Sequence, residues 1–381
     1  MFFLLLVSSL FLWIIILILP WKPWSTKQAF EPLDSIINDI SLRDVTVLIP
    51  ARNEEEILSK TLPSVINQGD RLNIIVIDDQ SDDKTREISQ KLLNKYKYKI
   101  NGVVIKGRKK PRQWSGKLWA LHQGLERVKT EYVLLLDADI YLQHNILKSA
   151  LKFLQENNLA MFSLMAMLKM DNLVERLFIP SFIYFFKLLY PFSLINKEKS
   201  FVAGAAGGFI LTKTSILKEI DAFESLKGAL IDDCTLAKLI KQKGYKIFLA
   251  LTHGIASIRA YDSLGKIWQM VSRTAYTQLN YNPFLLIFVS FLMIISFFVP
   301  IVGIFSFNTK FVFISGCTLI IMAISYMPVL RYYGLNLFWA FSLSIVGIFY
   351  LFMTLSSAKN YYFGKKAEWK GRVYSKKVSK S

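Results

Sequence analysis

The chain has 381 residues, 53% of them hydrophobic, and carries a net charge of +19. A mean hydropathy of +0.34 and a pI of about 9.7 suit a membrane protein with basic loops on the cytoplasmic side, or one lying against anionic headgroups. Nucleic-acid binding would also explain the charge, but it leaves the long apolar segments without a role, and His122, His144 and His253 show no zinc-ligand spacing.

Residues 1–20, MFFLLLVSSLFLWIIILILP, are uncharged and would span about 30 Å as a helix, enough to cross a bilayer. A basic start and a small-residue cleavage site are both missing, so residues 1–21 read as an uncleaved anchor rather than a signal peptide. Lys22, Lys27 and Arg43 after it favour a cytoplasmic location for the domain beyond the anchor.

From about residue 42 to 260, inside a catalytic domain expected over 42–282, apolar runs alternate with helical patterns. VTVLIPA, NIIVIDD, GVVIKG and YVLLLDAD read as strands. EEEILSKTLPSVIN, DKTREISQKLLNKY and GKLWALHQGLERV read as the helices between them. This is the signature of an α/β domain built on a doubly wound, mostly parallel sheet. Ligands of such sheets bind at the carboxyl ends of the strands, where PARNE, DDQSDD and DAD all fall. If the DAD strand continues through both acids, Asp137 and Asp139 point to one side and raise each other's pKa unless a cation relieves them. A divalent metal on a diphosphate would do so; a turn built on Asp is the alternative.

Beyond residue 280, segments 284–306, 311–330 and 335–355 are apolar, which gives a membrane region over 284–356 and a basic tail over 357–381. A cytoplasmic tail and a cytoplasmic catalytic domain require an even number of crossings between them, and three candidates violate that parity. Residues 177–195 are apolar but hold Lys187 and two prolines, so they read as a helix on the membrane surface or packed on the core. Cys234 and Cys317 make no case for a disulfide. Trp114, Trp119 and the basic run 106–112 suit either the bilayer interface or a solvated loop.

IPARNEE (49–55), IDDQSDD (77–83), GKLWAL (116–121), DAD (137–139), GAAGGFIL (204–211) and LIDDCTLA (230–237) form an ordered set. Together they resemble family 2 glycosyltransferases of the GT-A fold, a Rossmann-like nucleotide-sugar domain. GKLWAL, ERLFIPSF, LYPF, IDDCTLA and MVSRTAYTQL are similar to the hopene-associated membrane subgroup. The resemblance implies that Asp79 reads the nucleotide base, with Arg52 and Glu54 nearby. It implies that Asp139 holds Mg²⁺ or Mn²⁺, that Asp137 supports the ribose or the metal, and that Asp233 is the base, supported by Asp232. Gly207 and Gly208 would let the backbone approach a sugar. Asp233 has a helix N-cap as its alternative role. Lys117 is either a phosphate-side cation or a solvated helix start, and Arg273 either a diphosphate ligand or a membrane-surface cation. Processive synthases of the family carry Gln-x-x-Arg-Trp; here Met270 and Thr274 replace the Gln and Trp, which argues against polymer synthesis.

The expected protein is an integral membrane, inverting, metal-dependent enzyme with its catalytic domain in the cytoplasm. It moves one sugar from a nucleotide donor to a lipid acceptor, in hopanoid or related lipid metabolism. The competing readings are a non-catalytic scaffold, a sugar-nucleotide sensor and a processive polysaccharide synthase.

Overall fold

The computed structural model describes residues 1–33 and 40–364, and beyond them only the backbone of two short strands, Glu368–Trp369 and Arg372–Val373. The basic tail expected over 357–381 otherwise lies outside the described residues from 365 onward. The described chain divides into two units. One takes Gln28–Lys169 and Leu194–Ala260; the other takes Met1–Lys27, Met170–Ser193 and, of the described residues after Ala260, those up to 364. Of the residues 42–282 expected to form one catalytic domain, 170–193 and 261–282 fall in the helical unit.

The first unit is built on an eight-stranded sheet. In chain order its strands are β1 (Val45–Ala51), β2 (Asn73–Asp78), β3 (Asn101–Lys106), β4 (Tyr132–Leu136), β5 (Ile140–Leu142), β6 (Met161–Met167), β7 (Phe209–Lys213) and β8 (Ile247–Ser257). Their spatial order is β3-β2-β1-β4-β7-β6-β8-β5. Strands β3, β2, β1 and β4 are mutually parallel, as are β6 and β8, while β7 runs antiparallel to both its neighbours and β5 antiparallel to β8. All seven residues of β1 and all five of β4 are buried, as expected for strands covered on both faces.

This topology decides where the site forms. Parallel pairing sets Ala51 beside Asp78, so the loops after β1 and β2 leave the same edge. Because β7 is antiparallel, its first residue Phe209 lies opposite Leu136, and the GAAGG passage before it adjoins the end of β4. Pairing of Ile140 with Ser257 brings the exit of β8 to the same turn. The helix Gly116–Leu125 presses on β1 and β2 through Gly124, where a Cβ would lie 2.9 Å from Ile77 Cδ1 and 3.2 Å from Leu48 Cδ2.

The second unit is helical. Three of its helical stretches, Pro283–Ile304, Thr309–Tyr332 and Leu337–Tyr362, are long and apolar enough to cross a membrane. The N-terminal helix Phe2–Ile18 has 17 residues, the lower limit for a span. Trp13 of that helix donates its indole N–H to the Ser296 carbonyl, inside a π-helical turn, at 3.1 Å. The helix Leu173–Leu189 is packed inside this unit: Tyr184 Oη meets Ser325 Oγ at 2.7 Å, and Tyr350 donates to the Phe178 carbonyl at 3.0 Å. Its buried Glu175 gathers two chain passages, accepting from Asp171 N at 3.0 Å, Asn172 N at 3.4 Å and Tyr261 N at 2.9 Å.

The Gly124 contact gives a stability test. Gly124→Val overpacks the seam between the helix and β1–β2, and is expected to cost about 1–3 kcal/mol. The readout is a lower thermal midpoint in detergent.

Candidate active site

At the carboxyl ends of β1 and β2, the loops that follow are laced together. Asn53 and Gln80 take left-handed backbone conformations, with φ of 51° and 55°. Asn53 N–H donates to Ser81 Oγ at 3.0 Å, and Asp82 N–H to Asn53 Oδ1 at 2.9 Å. Arg52 sends Nη1 to the carbonyls of Asp79 (2.8 Å) and Gln80 (2.5 Å), and Nη2 to the Asp82 carboxylate (3.4 Å). Arg52 thus builds the loop that presents Asp79, and Asp79 itself is buried, with its N–H on the Ala51 carbonyl at 2.8 Å. Gly107 closes this corner: its N–H donates to the Asp78 carbonyl at 2.8 Å, and a Cβ there would collide with the same oxygen.

The strand does not continue through the DAD motif. β4 ends at Leu136, and the chain turns through Ala138 and Asp139. Asp137 N–H donates to the Gly208 carbonyl and Ile140 N–H to the Asp137 carbonyl, each at 3.1 Å. The expectation of two carboxylates on one strand face is therefore corrected. Asp137 Oδ1 lies 2.7 Å from Lys117 Nζ, whereas Asp139 Oδ2 accepts from Ser257 Oγ at 2.6 Å and lies 3.5 Å from Arg259 Nε. The Asp139 charge still pushes the Asp137 pKa up, as burial does, against the lowering effect of Lys117.

Lys117 joins this turn to the second acidic pair. It sits in the first turn of the helix Gly116–Leu125, which Ser115 caps by accepting Leu118 N–H at 3.2 Å. Its ammonium lies 3.6 Å from Asp232 Oδ2 as well as beside Asp137. Burial alone would lower the Lys117 pKa, but Asp137 and Asp232 outweigh it and hold the pKa well above normal, so the group stays charged. Asp232 and Asp233 open the helix Asp232–Gln242, whose N-cap is Ile231, so Asp233 is not the cap. The Asp233 carboxylate accepts Gly207 N–H at 2.8 Å and Cys234 N–H at 2.7 Å. Burial and the neighbouring Asp232 raise its pKa to about 6, with Lys117 and the two N–H donors opposing. Gly207 is needed for this contact, because a Cβ would stand 3.1 Å from Asp233 Oδ2 and 3.4 Å from Lys117 Nζ. Gly208 packs instead toward Ile140, its would-be Cβ lying 3.0 Å from Cδ1. Lys117, Asp137, Gly207, Asp232 and Asp233 line one small cavity.

Residues 46–221 match the family model for glycosyl transferase family 2. This segment is a family 2 glycosyltransferase domain. Similar proteins include the 4,4'-diaponeurosporenoate glycosyltransferase of Staphylococcus haemolyticus, 34% identical over 105 residues, 27% of this chain and 26% of that protein. The probable glycosyltransferase YdaM of Bacillus subtilis is 38% identical over 101 residues, 26% of this chain and 23% of that protein. The match thus spans about a quarter of each relative's length. Among solved structures, the mannosyltransferase PcManGT of Pyrobaculum calidifontis, in complex with GDP-Man and Mn²⁺, superposes with a TM-score of 0.58 at 14% identity, covering 96% of this chain and 100% of that one. This likeness is one of fold, and the eight-stranded sheet has the GT-A arrangement.

Within the sheet-bearing unit, the sequence-derived residues Lys117, Asp137, Gly207, Asp232 and Asp233 converge, Asp232 and Asp233 lying beyond the matched segment, and Arg52, Glu54, Asp79, Asp139 and Gly208 stand at neighbouring strand ends. Arg273 is exposed on the helix Leu264–Gln278 and belongs to the helical unit, outside this cluster. Ser257 and Arg259 were not visible as site residues in the sequence, because only the β5–β8 pairing carries them to Asp139. Their one local signal was a basic residue just past a strand's carboxyl end. Among the described residues no three His, Cys, Asp or Glu side chains converge as metal ligands. Two carboxylates of one turn are hard donors of the type Mg²⁺ and Mn²⁺ accept, and they fit a cation whose other ligands come from diphosphate and water.

Lys117→Met removes the cation that lowers the pKa of both Asp137 and Asp233. Donor binding measured by calorimetry is expected to weaken about tenfold, the equivalent of ~1.4 kcal/mol. The acid limb of the activity profile is expected to move to higher pH.

Proposed function

We propose that this chain transfers a single sugar from a nucleotide-sugar donor to a membrane lipid, with inversion and with a divalent metal. The observation that carries this reading is the Lys117 ammonium, which brings the DAD turn and the second acidic pair into one cluster, with Asp233 poised near neutrality. Asp79, on the loop shaped by Arg52, is assigned to the nucleotide base. Asp139 and Asp137 would hold Mg²⁺ or Mn²⁺, which when bound supplies positive charge to the leaving diphosphate. Lys117 adds a fixed cation on the phosphate side.

In the transfer, the acceptor oxygen attacks the anomeric carbon as the bond from that carbon to the diphosphate oxygen breaks. The acceptor proton passes to the Asp233 carboxylate, and the nucleoside diphosphate leaves with the electron pair. Asp232 keeps Asp233 basic by like-charge repulsion. The N–H groups of Gly207 and Cys234 fix the orientation of that carboxylate.

Three helices of spanning length support a membrane acceptor, as does the similarity to 4,4'-diaponeurosporenoate glycosyltransferase. The hopene-associated resemblance makes a hopanoid one candidate acceptor. The basic residues after the N-terminal helix support a cytoplasmic catalytic unit.

Membranes containing the chain, assayed with UDP- and GDP-sugars, Mn²⁺ or Mg²⁺ and a total lipid extract, are expected to form a glycolipid from one donor. Asp139→Asn should abolish metal-dependent turnover, and Asp233→Asn should lower the transfer rate about 10²–10⁴-fold while leaving donor binding in place. Full transfer by Asp233→Asn overturns the base assignment. Because Asp233 acts deprotonated and its pKa is raised to about 6, the wild-type rate is expected to climb with pH through that value and then level off.

A further inference from the structure

The exit of β8 supplies a feature that the transfer reaction does not use. Glu54 is 4% exposed, and its Oε1 meets Arg259 Nη2 at 2.7 Å. Its backbone N–H donates to Thr85 Oγ1 at 2.7 Å, so the residue is fixed at both ends. The same guanidinium lies 3.5 Å from Asp139 Oδ2, which also accepts from Ser257 Oγ at 2.6 Å. Ile258 N–H donates to the Asp139 carbonyl at 2.9 Å, tying the backbone of the turn to the same strand exit.

A lone guanidinium this close to a metal-binding carboxylate would compete with the metal for it. The ion pair with Glu54 changes that balance. The guanidinium is drawn to Glu54 at the shorter distance, and the pair as a whole is neutral. We propose that Glu54 and Arg259 form a charge-balanced brace which, with Ser257, orients Asp139 for a divalent cation without cancelling its charge. Glu54 is then a counter-charge, not a contact to the nucleotide. Arg259 and Ser257 are positioning residues. The inference rests on the metal-dependent reading of the site.

The test is Mn²⁺ binding by the full chain in detergent, followed by electron paramagnetic resonance with and without UDP or GDP. Nucleotide binding in EDTA is measured in parallel. Glu54→Gln leaves Arg259 uncompensated beside Asp139 and is expected to weaken Mn²⁺ affinity about tenfold. It should leave metal-free nucleotide binding unchanged. Adding Arg259→Met to Glu54→Gln is expected to recover most of that loss, a coupling that a merely structural role would not produce. Ser257→Ala removes a hydrogen bond without altering charge and should weaken Mn²⁺ binding several-fold; it carries the test if Glu54→Gln fails to fold. The brace is overturned if Glu54→Gln or Ser257→Ala binds Mn²⁺ like the wild type, or if the double variant binds no better than Glu54→Gln. It is also overturned if Glu54→Gln loses metal-free nucleotide binding instead. A wild-type chain that binds no Mn²⁺ with either nucleotide overturns the metal-dependent reading itself, and the brace with it.

Discussion

The Lys117 ammonium is the constraint around which the catalytic unit is arranged. Three acids, Asp137, Asp232 and Asp233, come from two distant parts of the chain, and the one ammonium among them offsets their mutual repulsion. Placing that cation demands a helix start at the right depth. Ser115 caps the helix and donates its own N–H to the Lys227 carbonyl at 3.0 Å. Gly124 lets the far end of the helix settle onto β1 and β2, and Gly207 leaves room for the acids to approach. Each of these small residues looks incidental alone; together they fix one charge.

The two ends of the DAD motif then play different parts. Asp137 faces the lysine and, through it, Asp232 of the second acidic pair. Asp139 faces the exit of β8. One turn thereby links the Lys117 cluster to the exit of β8.

Much of this was legible in the chain. β1, β2 and β4 are mostly aliphatic runs, and an apolar run that ends in acids, as β2 and β4 do, reports both a buried strand and its carboxyl end. Lys117, Asp137, Asp232 and Asp233 were singled out by their place in the ordered motifs GKLWAL, DAD and LIDDCTLA and the family resemblance these carry; on the residues alone a turn or a helix start accounted for each as well. The turn at Ala138 was not legible, since an Asp-x-Asp triplet satisfies both a strand and a turn until the Gly208 carbonyl claims Asp137 N–H. Arg259 was not legible either: its partners lie more than a hundred residues away and depend on an antiparallel edge strand of three residues. The apolar stretch 177–195 revealed its hydrophobicity but not its surroundings, which only the Tyr184–Ser325 and Tyr350–Phe178 contacts define.

The way the backbone alternates between the two units has a practical result. The polypeptide passes from helical to catalytic unit and back at 27/28, 169/170, 193/194 and 260/261. The second and fourth of these passages are clasped by one carboxylate, Glu175. Neither unit can therefore be released by a single cut or by trimming the termini. A gene fragment encoding the catalytic sheet would still carry the oily helix Leu173–Leu189, stripped of its Tyr326 and Tyr350 neighbours. Recombination that swaps one unit for a relative's must exchange several separated segments at once, so the pair is inherited as an interleaved whole.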